Sequence, residues 1–125
     1  MGEKKKILII DDEEDITYFL KMNLEMRKKF KVYTANNGEE GIKKAISKKP
    51  DLILLDVMMP GINGFDVLAV LKENMVTISI PVIMMTAYEK SDTSEKASGL
   101  YSADYFTKPF EMEKLIAGIN QALGV

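Results

Sequence analysis

Short apolar runs alternate along the chain with longer stretches whose apolar residues recur every three or four positions. Residues 6–10 read as a compact apolar strand, and 15–28 place Ile16, Phe19, Leu20 and Leu24 at helical spacing. A second strand covers 31–35 ("KVYTA"). Asn36-Asn37-Gly38 is turn chemistry in which an Asn caps the next helix, carrying Ile42, Ala45 and Ile46. Pro50 stops that helix before "DLILLD", a third strand that ends on Asp56. "MPGING" (59–64) reads as a loop, and Phe65, Leu68 and Leu71 form the inner stripe of the helix after it. Pro81 opens a fourth strand, "PVIMMTA", and 90–100 read as a polar helix. "ADYF" is a short fifth strand running into "TKPF". Residues 111–123 close the chain with Leu115, Ile116, Ile119 and Leu123 on one face.

Five strand–helix pairs with nearly continuous apolar strands predict an α/β fold with a parallel sheet covered on both faces. Right-handed crossovers make it doubly wound, a flavodoxin-like (βα)5 arrangement with strand order 2-1-3-4-5. No internal repeat, low-complexity segment or linker interrupts the pattern, so residues 1–125 are expected to form a single domain.

Composition narrows the chemistry. The chain has 46% hydrophobic and 29% charged residues and a formal net charge of -2, so no global field favours nucleic acid or an anionic membrane. The early "EKKK" reads as a solvated lead-in to the first strand. Cysteine and histidine are both absent, which excludes disulfides, thiolate chemistry, a Ser–His–Asp triad and the common imidazole metal sites. It also excludes a phosphohistidine carried by this chain. No apolar run reaches membrane-spanning length, no signal peptide precedes the first strand, and Lys6 stands where an N-myristoylation signal needs Ser or Thr. The expectation is a cytoplasmic protein with no membrane partner.

The residues that end the strands carry the chemical signal. Strand one ends on Asp11 and Asp12, strand three on Asp56 and strand four on Thr86, while strand five runs into Lys108. Ligands of such sheets sit outside the carboxyl ends of the strands, near the switch in strand order. With strand one beside strand three, the three aspartates converge. Hard oxygen ligands without His or Cys suit Mg²⁺, Lys108 offers a mobile positive charge for a phosphoryl oxygen, and Thr86 offers a hydroxyl donor. A carboxylate can itself be the nucleophile of phosphoryl transfer. Each residue also has a plainer reading: acidic residues suit a helix start, Thr86 a strand end, Lys108 a solvated loop and Tyr105 packing.

Taken together, "ILIIDDEED", "LILLDVMMPGINGFD", "PVIMMTA" and "DYFTKPF" resemble, in order and spacing, a response-regulator receiver domain of two-component signalling. The resemblance spans essentially the whole chain. It implies that Asp56 accepts the phosphoryl group. Asp11 and Asp12 would form the acidic pair for Mg²⁺, Asp12 directly and Asp11 through water, with the backbone carbonyl of Met58 as a further ligand. Thr86 and Lys108 would hold the phosphoryl group, and Tyr105 would be the switch aromatic. "KPF" would hold a cis peptide before Pro109. The partners implied are a histidine kinase or phosphotransfer protein and a downstream effector or output domain. The domain itself would bind no nucleic acid. It would act as a signalling phosphoacceptor rather than an enzyme, assisting only its own phosphorylation and dephosphorylation.

The output would be a conformational shift at the face of helix four, strand five and helix five, a face that also allows a weak homodimer beside a monomer. Both a stand-alone receiver and a domain of a longer regulator fit the resemblance. The chain departs from a common receiver pattern before strand five, where "LYSADY" replaces a glycine-bearing "GAxDY". Helix four is therefore expected to end early or its connection to be rebuilt. Tyr88 and Met58, at the pocket mouth, are expected to shield the acyl phosphate from water.

Two other functions fit some of these residues. A haloacid-dehalogenase-like phosphatase also uses an aspartyl nucleophile at a strand end, but it wants a second carboxylate two residues on, where Met58 stands. A non-phosphorylated receiver-like docking module would lack pocket residues, and none is missing. "DDEED" lacks the glycine of an EF-hand loop, and no dinucleotide or Walker-type fingerprint occurs. The nine methionines are expected to fill the core and the edge of the site.

Overall fold

A computed structural model of the chain describes residues 3–86, 104–108 and 111–125. Among them, β1 (Lys5–Ile10), α1 (Glu14–Glu25), β2 (Phe30–Ala35), α2 (Gly38–Lys48), β3 (Leu52–Asp56), α3 (Gly64–Glu73), β4 (Val82–Thr86) and β5 (Asp104–Thr107) precede a C-terminal helix, Met112–Leu123. The strands form one five-stranded sheet in the order β2-β1-β3-β4-β5, and every pair is parallel. The doubly wound reading is borne out. The expected polar helix over 90–100 and its altered connection to β5 lie outside the described residues.

The period of two along each strand divides the apolar residues between two cores. Leu8, Ile10, Ile53, Leu55, Val82 and Met84 face α2 and α3, packing with Ala45, Val67, Leu68 and Leu71. Their sequence neighbours Ile7, Ile9, Leu52, Leu54, Ile83 and Met85 face the other way, against Leu20 and Leu24 of α1 and Leu115, Ile116 and Ile119 of the C-terminal helix. An apolar run buried on both faces has no polar side to expose, so β1, β3 and β4 carry almost none.

Local chemistry sets the helix limits. Asn37 caps α2 by accepting from the Glu40 N–H at 2.8 Å, and Asn63 caps α3 by accepting from Asp66 N–H at 3.0 Å. α2 ends with Lys49 in the left-handed region at φ 49°, one residue before Pro50. The inner stripe of α1 differs from the expected one. Thr17, Leu20 and Leu24 are buried, whereas Phe19 is 52% exposed, because a step of one residue from Leu20 turns the side chain about 100° away from the sheet. The methionines also divide. Met59, Met84 and Met85 are buried as expected, but Met22, Met26 and Met75 lie exposed on the surface.

The outer strand β2 would present unpaired backbone groups to solvent. Side chains from both layers cover them: the Val32 N–H donates to Glu25 Oε2 of α1 at 3.1 Å, and Lys44 Nζ of α2 donates to the Thr34 carbonyl.

Candidate functional site

The pocket is built where β1 and β3 run out at their carboxyl ends. Their register pairs Ile10 with Leu55, so the next residues on the two strands are Asp11 and Asp56. One carboxylate oxygen each from Asp11, Asp12 and Asp56 lies within 4.8 Å of the others. Asp11 is fully buried and Asp56 is 3% exposed, while Asp12 is half-buried. Carboxylates this close and this dry cannot all remain ionised without a positive partner.

Lys108 supplies that partner from the far end of the chain. Its Nζ lies 2.7 Å from Asp11 Oδ2, 3.3 Å from Asp56 Oδ1 and 3.6 Å from Glu13 Oε1. Its backbone N–H donates to the Thr86 carbonyl at 2.6 Å, which carries the β4–β5 pairing one step beyond Thr107. The Lys108 ammonium therefore extends from a backbone held by the sheet. Burial works against its charge, but the hydrogen bonds and charges of Asp11 and Asp56 outweigh burial and hold its pKa above the ordinary lysine value. Asp56 shows the opposite balance. Burial first and repulsion by Asp11 second push its pKa from 3.8 to about 7, against the lowering pull of Lys108.

The backbone around Asp56 is tightly held. The Val57 N–H donates to the Met85 carbonyl at 2.8 Å, and the Gly64 N–H donates to the Val57 carbonyl at 2.9 Å. A Cβ on Gly64 would stand 2.2 Å from the Asp56 carbonyl oxygen and 2.7 Å from Val57 Cα, so only glycine lets α3 start this close to β3. Behind the acidic pair, Asn36 Nδ2 donates to the Asp11 carbonyl at 2.9 Å, and Asp11 Oδ1 accepts the Glu13 N–H at 3.0 Å.

The structure thus brings Asp11, Asp12, Asp56 and Lys108 together and places Thr86, fully buried, at the end of β4. Met58 is 52% exposed two residues beyond Asp56. The backbone of Tyr105, on β5, pairs with Met84 of β4, while its side chain, on which the switch reading depends, lies outside the described part. Tyr88 and Pro109, with the expected cis bond, lie outside the described residues as well. Glu13, Asn36 and Gly64 were not singled out as site residues from the sequence. Glu13 stood inside the acidic run, but nothing in its spacing distinguishes a helix-start glutamate from one that reaches the lysine.

A comparison of the whole chain with known proteins decides the family. Residues 7–120 match the response regulator receiver domain.

The chain belongs to the response regulator receiver domain family.

This receiver is similar to the response regulator ArlR of Staphylococcus saprophyticus, with 42% identity over 94% of this chain and 52% of that protein. It is 43% identical, over 95% of this chain and 48% of the relative, to the alkaline phosphatase synthesis transcriptional regulatory protein PhoP of Bacillus subtilis. The chain spans about half the length of these curated relatives. The solved chemotaxis protein CheY4 of Vibrio cholerae shares its fold, with a TM-score of 0.89 over 95% of this chain and 98% of that one at 24% identity. The function class is that of the family, a phospho-accepting signalling switch. No described helix of the receiver is long and apolar enough to cross a membrane.

Proposed function

We propose that this receiver takes a phosphoryl group onto Asp56 from the phosphohistidine of a partner kinase or phosphotransfer protein, or from a small acyl phosphate. The observation that carries the reading is the position of Asp56: a nearly buried carboxylate at a strand end, 3.3 Å from a lysine ammonium and beside two further acids. A carboxylate oxygen of Asp56 attacks phosphorus in line. The bond from phosphorus to the donor breaks, and its electron pair leaves on the donor. Lys108 neutralises the developing charge on the phosphoryl oxygens, and the Thr86 hydroxyl donates to one of them.

The donor set is all oxygen, with no nitrogen or sulfur ligand, which fits Mg²⁺. Asp12 and Asp56 would hold it directly, Asp11 through water, and the Met58 carbonyl would complete the protein's share. When bound, Mg²⁺ neutralises charge on Asp56 and on the phosphoryl oxygens. A carboxylate whose pKa stands at about 7 without a cation needs such a partner to be the nucleophile at neutral pH.

Tyr105 would turn as the switch aromatic, and Met58 with Tyr88 would shield the phosphate from water. The exposed apolar residues Tyr18 and Met22 on α1 and Met26 at its C-cap, with Phe19 beside them, suit docking of the donor protein. The signal would pass as a population shift to an output domain or separate effector, from a cytoplasmic, monomeric or weakly dimeric receiver of residues 1–125 that itself contacts no DNA. Residue 58 is Met, without the second carboxylate a phosphatase would use, which favours a switch over a turnover enzyme.

Intact mass after acetyl phosphate and Mg²⁺ tests the reading. The wild type should gain one phosphoryl group and Asp56→Asn none. No addition with any competent donor, or addition that survives in Asp56→Asn, overturns it.

A further inference from the structure

The first residue before α1 is a glutamate that does not cap. Glu13 occupies the N-cap position with extended backbone, yet its side chain makes no capping hydrogen bond. Asp, Asn, Ser and Thr fill that position far better, since their short side chains reach the free N–H groups of the first turn. The Glu13 carboxylate instead reaches to 3.6 Å from Lys108 Nζ, and its own N–H is tied to Asp11 Oδ1 at 3.0 Å. The backbone of Glu13 is thus anchored to the pocket while its side chain, 62% exposed, lies over the rim.

Lys108 has three N–H donors and three carboxylates within reach, Asp11, Asp56 and Glu13. Asp11 and Asp56 also belong to the group of acids able to hold a cation, and Glu13 does not. A divalent cation among Asp11, Asp12 and Asp56 would therefore compete with the ammonium for both of its buried partners. Only the third partner remains free. The Lys108 backbone is bonded to Thr86, so within the reach of its stem the side chain can draw closer to Glu13, already 3.6 Å away.

From this geometry we propose that Glu13 is a positioning residue for Lys108: it keeps the ammonium at the rim of the pocket when a divalent cation engages Asp11 and Asp56. The inference rests on the metal-assisted reading above and adds a residue to it. Glu13 lowers the cost of loading the pocket, because the displaced ammonium keeps, and can shorten, a carboxylate contact it already has. It also leaves Lys108 beside the place where a phosphoryl group arrives.

The test is Mg²⁺ affinity of the unphosphorylated full chain, by titration calorimetry, for wild type, Glu13→Gln, Glu14→Gln and Lys108→Met, and for Glu13→Gln combined with Lys108→Met. Glu13→Gln should raise the Mg²⁺ Kd about two- to fivefold, the range an exposed ion pair supports. Glu14 carries the same charge one position on and makes no ion pair among the described residues, so Glu14→Gln should change the Kd by less. In the Lys108→Met background the effect of Glu13→Gln should disappear. The inference is overturned if Glu13→Gln leaves the Kd unchanged or lowers it, if Glu14→Gln matches it, or if the effect survives without Lys108. Should Lys108→Met fail to fold, the contrast between Glu13→Gln and Glu14→Gln decides alone. Absence of any Mg²⁺ binding by the wild type would instead refute the metal-assisted reading itself.

Discussion

Asp56 should destabilise the metal-free fold at neutral and alkaline pH, and replacing it should be stabilising. Its carboxyl is pushed from 3.8 to about 7 by burial and by Asp11, so the folded state prefers it protonated. The sign follows from proton counts. Between pH 4 and 7 the native state binds more protons at this position than the unfolded chain, so stability falls as pH rises. The contribution is fully present below the unfolded value and is lost as pH passes through the folded one. The difference between 3.8 and about 7 corresponds to roughly 4 kcal/mol, and Asp56 is only 3% exposed, so solvent screening removes little of it. Local relaxation and entry of water make about 2–4 kcal/mol the expected gain for Asp56→Asn, whose side chain matches the neutral acid in shape.

Urea unfolding in EDTA at several pH values between 4 and 8, on both proteins, measures this directly. The two curves should nearly coincide at pH 4, diverge up to pH 7 and then run parallel. At pH 8 the variant should unfold at a clearly higher urea concentration. Excess Mg²⁺ should stabilise the wild type more than the variant and narrow the gap. Equal stabilities at pH 8 without metal, or a gap independent of pH, would refute the reasoning that burial and Asp11 load this carboxyl.

Two further outcomes follow from the same packing. Gly64→Ala should cost about 2–4 kcal/mol in urea unfolding, because the new methyl meets backbone atoms of Asp56 and Val57 that cannot turn aside, and it should slow phosphoryl uptake in the mass assay. Removing both side chains that cover the open edge of β2, as Glu25→Ala with Lys44→Ala, should produce concentration-dependent self-association in sedimentation velocity. A variant that stays monomeric at high concentration would show that the edge needs no cover.

The fold was largely legible because its signals are strong and local. Short apolar runs such as "ILII" and "LILL" read as strands buried on both faces, and Asn37 marks a helix start by its own chemistry. The convergence of Asp11, Asp12 and Asp56 was legible too, since strand order alone brings those strand ends together. Phe19 was misplaced because an apolar residue beside a buried one satisfies a spacing rule without facing the core. Gly64 is a steric fact about two backbones 8 residues apart in sequence, and no pattern announces it. The five acids from Asp11 to Asp15 looked like a two-residue site followed by a helix start. The structure blurs that boundary by one residue: the Glu13 carbonyl opens the helix, while its side chain makes no cap and lies 3.6 Å from the lysine.

The bond between Lys108 and Asp11 spans 97 positions of sequence. Every acid of the pocket is already present by Asp56, and its balancing cation comes only after β5 has joined the sheet. Without its last strand the pocket would lack Lys108, and its acids would have to take up protons or a cation instead. The pocket in this way ties the arrival of its balancing lysine to completion of the sheet.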